Sequence, residues 1–165
     1  MPGWELINKS EQTALTNLFK KDGGILFAHG FNHLRKKFHV REFEKLIGRK
    51  FKSKFVLAVS NGTSAIKIAL KSLGVKPGDE VITQAFNFIA TIEAIIDVGA
   101  KPIIVDTDES LNMCFKDLKK KISRKTKAII PVHMLGVPAD LNKIIKISKE
   151  KKIKIISDNC ESMGA

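Results

Sequence analysis

The sequence predicts an α/β fold, a mostly parallel sheet with helices on both faces. Two observations carry this. From Phe55 onward, short β-branched runs alternate with segments whose apolar residues recur at helical spacing, and glycines or Pro-Gly turns punctuate the switches between them. Second, 165 residues at 44% apolar and 28% charged are enough for one domain with a real core.

In chain order, Phe55-Val56-Leu57-Ala58-Val59 reads as a first, buried strand, opening into Asn61-Gly62-Thr63-Ser64. Ile66, Ala69, Leu70 and Leu73 then define a helix that Gly74 is placed to end, and Lys76-Pro77-Gly78-Asp79 makes a turn. Glu80 to Thr83 is a second strand, and Asn87 to Val98 a largely buried helix stopped at Gly99. Pro102 to Val105 is a third strand, followed by the acidic loop Asp106-Thr107-Asp108-Glu109 and a short helix from Phe115 to Ile122. Lys127 to Val132 gives a fourth strand. Asp140 to Lys151 is a helix with its stripe at Leu141, Ile144, Ile145 and Ser148, and Ile153 to Ser157 is the fifth strand. The strand–helix rhythm argues for a mostly parallel sheet covered by helices on both faces.

The N-terminal part differs. Ser10 to Lys20 reads as one helix, and Val40, Phe43, Leu46 and Ile47 mark a second that ends at Gly48; between them a loop begins at Asp22-Gly23-Gly24 and runs through Phe31-Asn32-His33. This divides the chain into a helix-and-loop segment, 1–37, and an α/β domain, 38–165.

The formal net charge is +12, nearly all of it lysine, with arginine only at Arg35, Arg41, Arg49 and Arg124. Lys67 and Lys71 lie on polar helix faces, and no aromatics interleave with the clusters Lys119–Lys121 and Lys149–Lys152, so solvated surface explains the charge better than a nucleic-acid site. No apolar run suits a membrane span, Met1 to Glu5 lack the layout of a signal peptide, and Cys114 and Cys160 match no zinc or disulfide spacing. A cytoplasmic protein, with no membrane or nucleic-acid partner and no metal, is the expectation.

Ligands of open parallel sheets bind at the carboxyl ends of the strands. That rule selects Asn61-Gly62-Thr63-Ser64 after the first strand, Phe86-Asn87-Phe88 after the second, His133 after the fourth and Asp158 after the fifth. Gly62, Thr63 and Ser64 open a helix, where free N–H groups and the helix dipole favour a phosphate, although a helix cap is the commoner role of such residues. Asp158 ends an apolar strand, where an ionised carboxylate requires either a protein donor or a cation-like ligand. Phe88 in the first turn of a buried helix is ordinarily core, and His133 can simply cap a neighbouring loop.

Taken together, Val59-Ser60-Asn61-Gly62-Thr63-Ser64-Ala65, Lys76-Pro77-Gly78-Asp79-Glu80-Val81-Ile82, Asn87-Phe88-Ile89-Ala90-Thr91, Val98-Gly99-Ala100-Lys101-Pro102, Pro131-Val132-His133 with Gly136, and Ser157-Asp158-Asn159-Cys160-Glu161 with Gly164-Ala165 resemble the DegT/DnrJ/EryC1/StrS family of sugar aminotransferases. The resemblance runs from about Phe38 to the last residue and implies the large domain of a fold-type I enzyme dependent on pyridoxal 5′-phosphate. It implies that Gly62, Thr63 and Ser64 hold the cofactor phosphate, that Phe88 stacks on the pyridine ring, and that Asp158 pairs with the ring nitrogen. Glu161 takes the place near the ring hydroxyl where glutamine is usual, and a carboxylate there would repel that oxygen unless one of the two holds a proton. Asn87 stands where threonine is usual.

The family's Schiff-base lysine and smaller C-terminal domain come later than Ala165, so the chain is expected to be an N-terminal fragment with no catalytic residue of its own. The implied activity is transfer of an amino group from a donor such as glutamate to a nucleotide-linked keto-sugar, for surface polysaccharide or related biosynthesis, in a homodimer when full length. A nucleotide-sugar dehydratase of the same family, with histidine at the lysine position, and a non-catalytic nucleotide-binding module are the rival readings.

Overall fold

The computed structural model describes residues 6–22 and 38–165. The expected loop from Gly23 to His33 falls outside the described residues. Two compact units divide the chain, Met1–Ala58 and Val59–Ala165.

The first unit holds α1 (Lys9–Asp22) and α2 (His39–Lys50). Asn8 caps α1 by accepting from the Ser10 amide at 2.8 Å, while Glu11 Oε2 reaches back to accept from the Asn8 amide at 2.8 Å. Those reciprocal bonds satisfy donors that a helix start leaves open. Helix α2 does not end at Gly48: Phe51 N–H still donates to Ile47 O, and the left-handed residue is Lys52 (φ 52°). Gly48 answers a different need, since a Cβ there would stand 3.2 Å from the Ser53 carbonyl oxygen.

The second unit contains α3 (Gly62–Ser72), β1 (Glu80–Gln84), α4 (Ile89–Asp97), β2 (Lys101–Val105), α5 (Phe115–Lys121), β3 (Thr126–Ile130), α6 (Leu141–Lys151) and β4 (Lys154–Ile155). The four strands form one parallel sheet in the order β2-β1-β3-β4. Alternate residues of the strands face opposite ways. Val81, Ala128 and Ile130 pack with Ile66 and Leu70 of α3 and with Ala94 and Ile95 of α4. Ile82, Ile129 and Val105 pack on the other side with Leu118 of α5 and with Ile144 and Ile147 of α6. The sheet is therefore covered on both faces, as the sequence predicts.

Several expectations need correction. Phe55 to Val59 is not a strand: it takes no ladder partner among the described residues, and Phe55 and Leu57 are 84% and 69% exposed. The helix expected from Asn87 starts only at Ile89, because Asn87 Nδ2 donates to Gln84 O at 2.6 Å and holds a turn instead. On α6 the buried stripe is Ile144, Ile147 and Ser148, with Ile145 at the surface. The last strand is only two residues long, yet its pairing resumes beyond β4, where Val132 bridges Asp158.

Strand order fixes where a ligand belongs. From β1 the chain passes through α4 to β2 on one side, then crosses back through α5 to β3 on the other. The connections leaving the carboxyl ends of β1 and β3 thus diverge, which opens a crevice between them.

Candidate functional site

Four segments meet at that crevice. Thr83 and Gln84 close β1 as buried polar residues, a costly position unless each finds partners. Thr83 Oγ1 donates to Ile130 O at 3.0 Å, across to β3. Gln84 Nε2 donates to the carbonyls of Phe86 and Leu111, and its Oε1 accepts from Val132 N–H at 3.2 Å. Asn112, 1% exposed, donates to Val137 O and accepts from Met134 N–H. These amides tie the loops after β1, β2 and β3 to one another, so the crevice has fixed walls.

Asp158 sits half-buried beside β3, held there by Asp158 N–H to Pro131 O at 3.0 Å and His133 N–H to Asp158 O at 3.1 Å. Its Oδ2 accepts from Thr91 Oγ1 at 3.0 Å, and its Oδ1 from Cys160 N–H at 3.2 Å. Each oxygen keeps a further lone pair for a ligand donor. Thr91 lies in the first turn of α4, where its N–H bonds the carbonyl of Phe88. The ring of Phe88 is 72% exposed, so it is not a core residue. Thr91 therefore links the two, bonding the Phe88 carbonyl through its N–H and Asp158 through its hydroxyl.

His133 is 2% exposed and doubly bonded. Its Nδ1 accepts the Ala139 N–H at 2.8 Å, so the ring proton must reside on Nε2, which faces Ser157 Oγ at 2.5 Å. Burial lowers the His133 pKa below its ordinary value, against a smaller opposing pull from the negative charge of Asp158. A neutral imidazole whose basic nitrogen is already occupied cannot act as a base toward Ser157. Its work is to brace the turn from Met134 to Ala139.

Glu161 Oε2 accepts from the amide of Leu135 at 2.8 Å, in a turn where Leu135 is left-handed (φ 53°). That carboxylate is committed to a backbone donor. In the same C-terminal turn, Ser162 Oγ is buried without a hydrogen-bond partner among the described residues.

At the start of α3, Asn61 Oδ1 accepts from Ser64 N–H at 2.8 Å and Asn61 O accepts from Ala65 N–H. No acceptor among the described residues meets the amides of Gly62 and Thr63. A Cβ built on Gly62 would meet nothing within 4 Å. Because α3 leads into β1 and α4 leads out of it, both helices point their N-termini at the carboxyl edge of the sheet. Gly62, Thr63, Phe88, His133 and Asp158 thus share that edge. Direct bonds unite only Phe88, Thr91, Asp158, Cys160 and the His133 strand end; Gly62, Thr63 and Ser64 come to the edge by topology.

Thr83, Gln84, Thr91, Asn112 and Ser157 are the site residues that the sequence reading passed over. A signal was present for Thr91: a threonine inside the apolar helix Ile89-Ala90-Thr91-Ile92 needs a buried acceptor.

Residues 30–165 match the DegT/DnrJ/EryC1/StrS aminotransferase family. The chain belongs to this family. Among related proteins, it is 38% identical to a GDP-perosamine synthase of Escherichia coli O157:H7 over 128 residues, 77% of this chain and 35% of that one. It is 40% identical to a UDP-2-acetamido-2-deoxy-3-oxo-D-glucuronate aminotransferase of Pseudomonas aeruginosa over 127 residues, 76% of this chain and 35% of the relative. Its fold is similar to that of a GDP-4-keto-6-deoxymannose-3-dehydratase crystallised with a trapped PLP–glutamate geminal diamine, with a TM-score of 0.82 at 29% identity, covering 96% of this chain and 40% of the other. The chain spans about a third of the length of the curated DegT-family relatives it matches. Among the described residues, no helix is long and apolar enough to cross a membrane.

Proposed function

We propose that this chain supplies the cofactor-holding part of a pyridoxal 5′-phosphate-dependent aminotransferase that acts on a nucleotide-linked keto-sugar, with glutamate or a similar amino acid as the amino donor. The observation that supports this is a carboxylate bonded to the first turn of α4 beside an exposed aromatic ring, on the same edge of the sheet to which the topology brings the open N-terminus of α3.

The residues present fit the cofactor. The amides of Gly62 and Thr63, with the hydroxyls of Thr63 and Ser64, are donors for a phosphate dianion, and the open space beside Gly62 admits it. Phe88 offers one face of its ring to a flat heterocycle. Asp158 offers a carboxylate to a pyridine N–H, with one oxygen held by Thr91 Oγ1 and the other by the Cys160 amide. Glu161, turned to the Leu135 amide, borders the site without competing for that proton. When bound, pyridoxal phosphate supplies an electron sink for the bond changes at the substrate carbon. Asp158 holds the ring proton that makes the sink effective, Phe88 keeps the ring flat against the crevice wall, and the α3 amides anchor the phosphate. No residue of 6–22 or 38–165 is assigned as the lysine that carries the cofactor. A homodimer in the cytoplasm, feeding surface polysaccharide synthesis, completes the proposal.

A second reading is a dehydratase acting on the same class of sugar nucleotide, supported by the likeness to GDP-4-keto-6-deoxymannose-3-dehydratase. Both use the same cradle. The test is a chimera in which this chain replaces the matching third of the E. coli GDP-perosamine synthase. Supplied with pyridoxal phosphate, a GDP-linked keto-sugar and 15N-glutamate, it should place 15N on the sugar, and Asp158→Asn should cut that rate by ten- to a hundredfold. A folded chimera that binds pyridoxal phosphate yet places no 15N on the sugar would count against the aminotransferase reading of this chain. Unaltered transfer in the Asn variant would remove Asp158 from the site.

A further inference from the structure

We propose that Thr91 is a positioning residue, one that fixes the carboxylate plane of Asp158 against the platform begun by Phe88. The inference rests on the cofactor reading above.

Thr91 is 2% exposed and lies within an apolar helix whose other buried residues are Ala94 and Ile95. A threonine inside a helix commonly turns its hydroxyl back to a carbonyl of the preceding turn. Here Oγ1 donates instead to Asp158 Oδ2 at 3.0 Å, 67 residues away in sequence. The other oxygen of Asp158 takes the Cys160 amide at 3.2 Å, a bond within its own loop. The Cys160 contact alone would leave the carboxylate to swing with that loop. Thr91 adds a donor anchored to the helix that also carries Phe88, through Thr91 N–H to Phe88 O at 3.2 Å. Acid and ring platform are thereby referenced to the same turn of backbone. Two fixed donors on two oxygens define the plane of the carboxylate, and so the direction in which its remaining lone pairs point. His133 braces the opposite side of Asp158 through the backbone bond to Asp158 O and does not touch the carboxylate oxygens.

Thr91→Val keeps the shape and removes the donor, whereas Thr91→Ser keeps the donor. The test uses this chain and pyridoxamine 5′-phosphate labelled with 15N in the ring, at a pH where the free probe's ring nitrogen is largely unprotonated. Affinity is read by titration and ring protonation by the 15N shift, with Asp158→Asn as the reference for loss of the acid. The expected result is a protonated ring nitrogen on the wild-type chain. In Thr91→Val, affinity should fall about tenfold with a clear loss of the protonated form, and Thr91→Ser should recover both. Thr91→Ala repeats the comparison if thermal unfolding shows the valine variant to be misfolded. If Asp158→Asn loses ring protonation while Thr91→Val and Thr91→Ala behave as wild type, the role of Thr91 is overturned and the cofactor reading stands. If the wild-type chain does not bind the probe, or Asp158→Asn binds it with the ring equally protonated, the cofactor reading falls and the inference falls with it.

Discussion

Replacing His133 exposes how the crevice is braced, because the two bonds of its ring have very different worth. The Nδ1 bond takes the Ala139 amide in a buried setting, while the Nε2 bond goes to Ser157, which is exposed. In His133→Phe the Ser157 hydroxyl can turn to water at little cost, but the Ala139 N–H is left buried without an acceptor. A buried unsatisfied donor costs about 1–3 kcal/mol. For a chain of this size each 1 kcal/mol lowers the melting temperature by about 2–4 °C, so a fall of roughly 2–12 °C is expected. His133→Asn places its amide oxygen near the position of Nδ1, keeps the Ala139 bond, and should lose less than half as much. The same pair of variants separates a pH effect. Burial lowers the folded-state pKa of His133, so its neutral form stabilises the fold at pH values above the ordinary imidazole pKa of 6.5. That contribution is lost as pH falls from 6.5 toward the lowered folded value, where the unfolded chain binds a proton the folded chain resists. Urea unfolding at pH 8 and at pH 5.5 reads both effects: wild type should lose more stability on acidification than either variant. Equal stability of His133→Phe and wild type at pH 8, or an unchanged acid slope in both variants, would refute the bracing role.

Other expected outcomes are simpler. Phe88→Ala should leave stability within about 0.5 kcal/mol of wild type in thermal unfolding, because the ring is 72% exposed, and should weaken pyridoxamine 5′-phosphate binding about two- to tenfold in a titration. The opposite pattern, lost stability with unchanged binding, would make Phe88 structural. Asn61→Ala removes the α3 cap and should cost about 1 kcal/mol in urea unfolding, and no loss would show that the Ser64 amide finds another acceptor.

Most of the α/β architecture is legible in the sequence because local periodicity and burial agree there. Ile66 and Leu70 repeat at helical spacing and are buried together, and Val81 and Ile82 alternate between the two cores. Phe55 to Val59 fails for a physical reason. Its β-branched and aromatic residues suit a strand, but a strand exists only with a ladder partner, and residue types cannot reveal whether one is at hand. The candidate site was legible in outline, since strand ends select Phe88, His133 and Asp158 without reference to contacts, whereas Gly62 was selected as the end of a strand that does not form and reaches the same edge as the start of α3. What the sequence leaves open is whether Phe88 is core, which only its exposure decides. It also leaves open the partner of Asp158, because Thr91 lies 67 residues earlier in the chain. Glu161 illustrates the limit of reasoning by residue type: its Oε2 accepts from the Leu135 amide, in a turn no pattern announces.

The most direct test of the account is a map of where pyridoxamine 5′-phosphate touches this chain, obtained by titrating it into 15N-labelled protein and following the backbone amides. Saturable binding is predicted to shift Gly62, Thr63, the first turn of α4 around Phe88 and Thr91, and the Asp158–Cys160 loop. Inorganic phosphate should reverse the Gly62 and Thr63 shifts first. Shifts confined to the lysine-rimmed groove formed by Phe115, Lys119, Lys143 and Lys146, or no saturable binding at all, would contradict it.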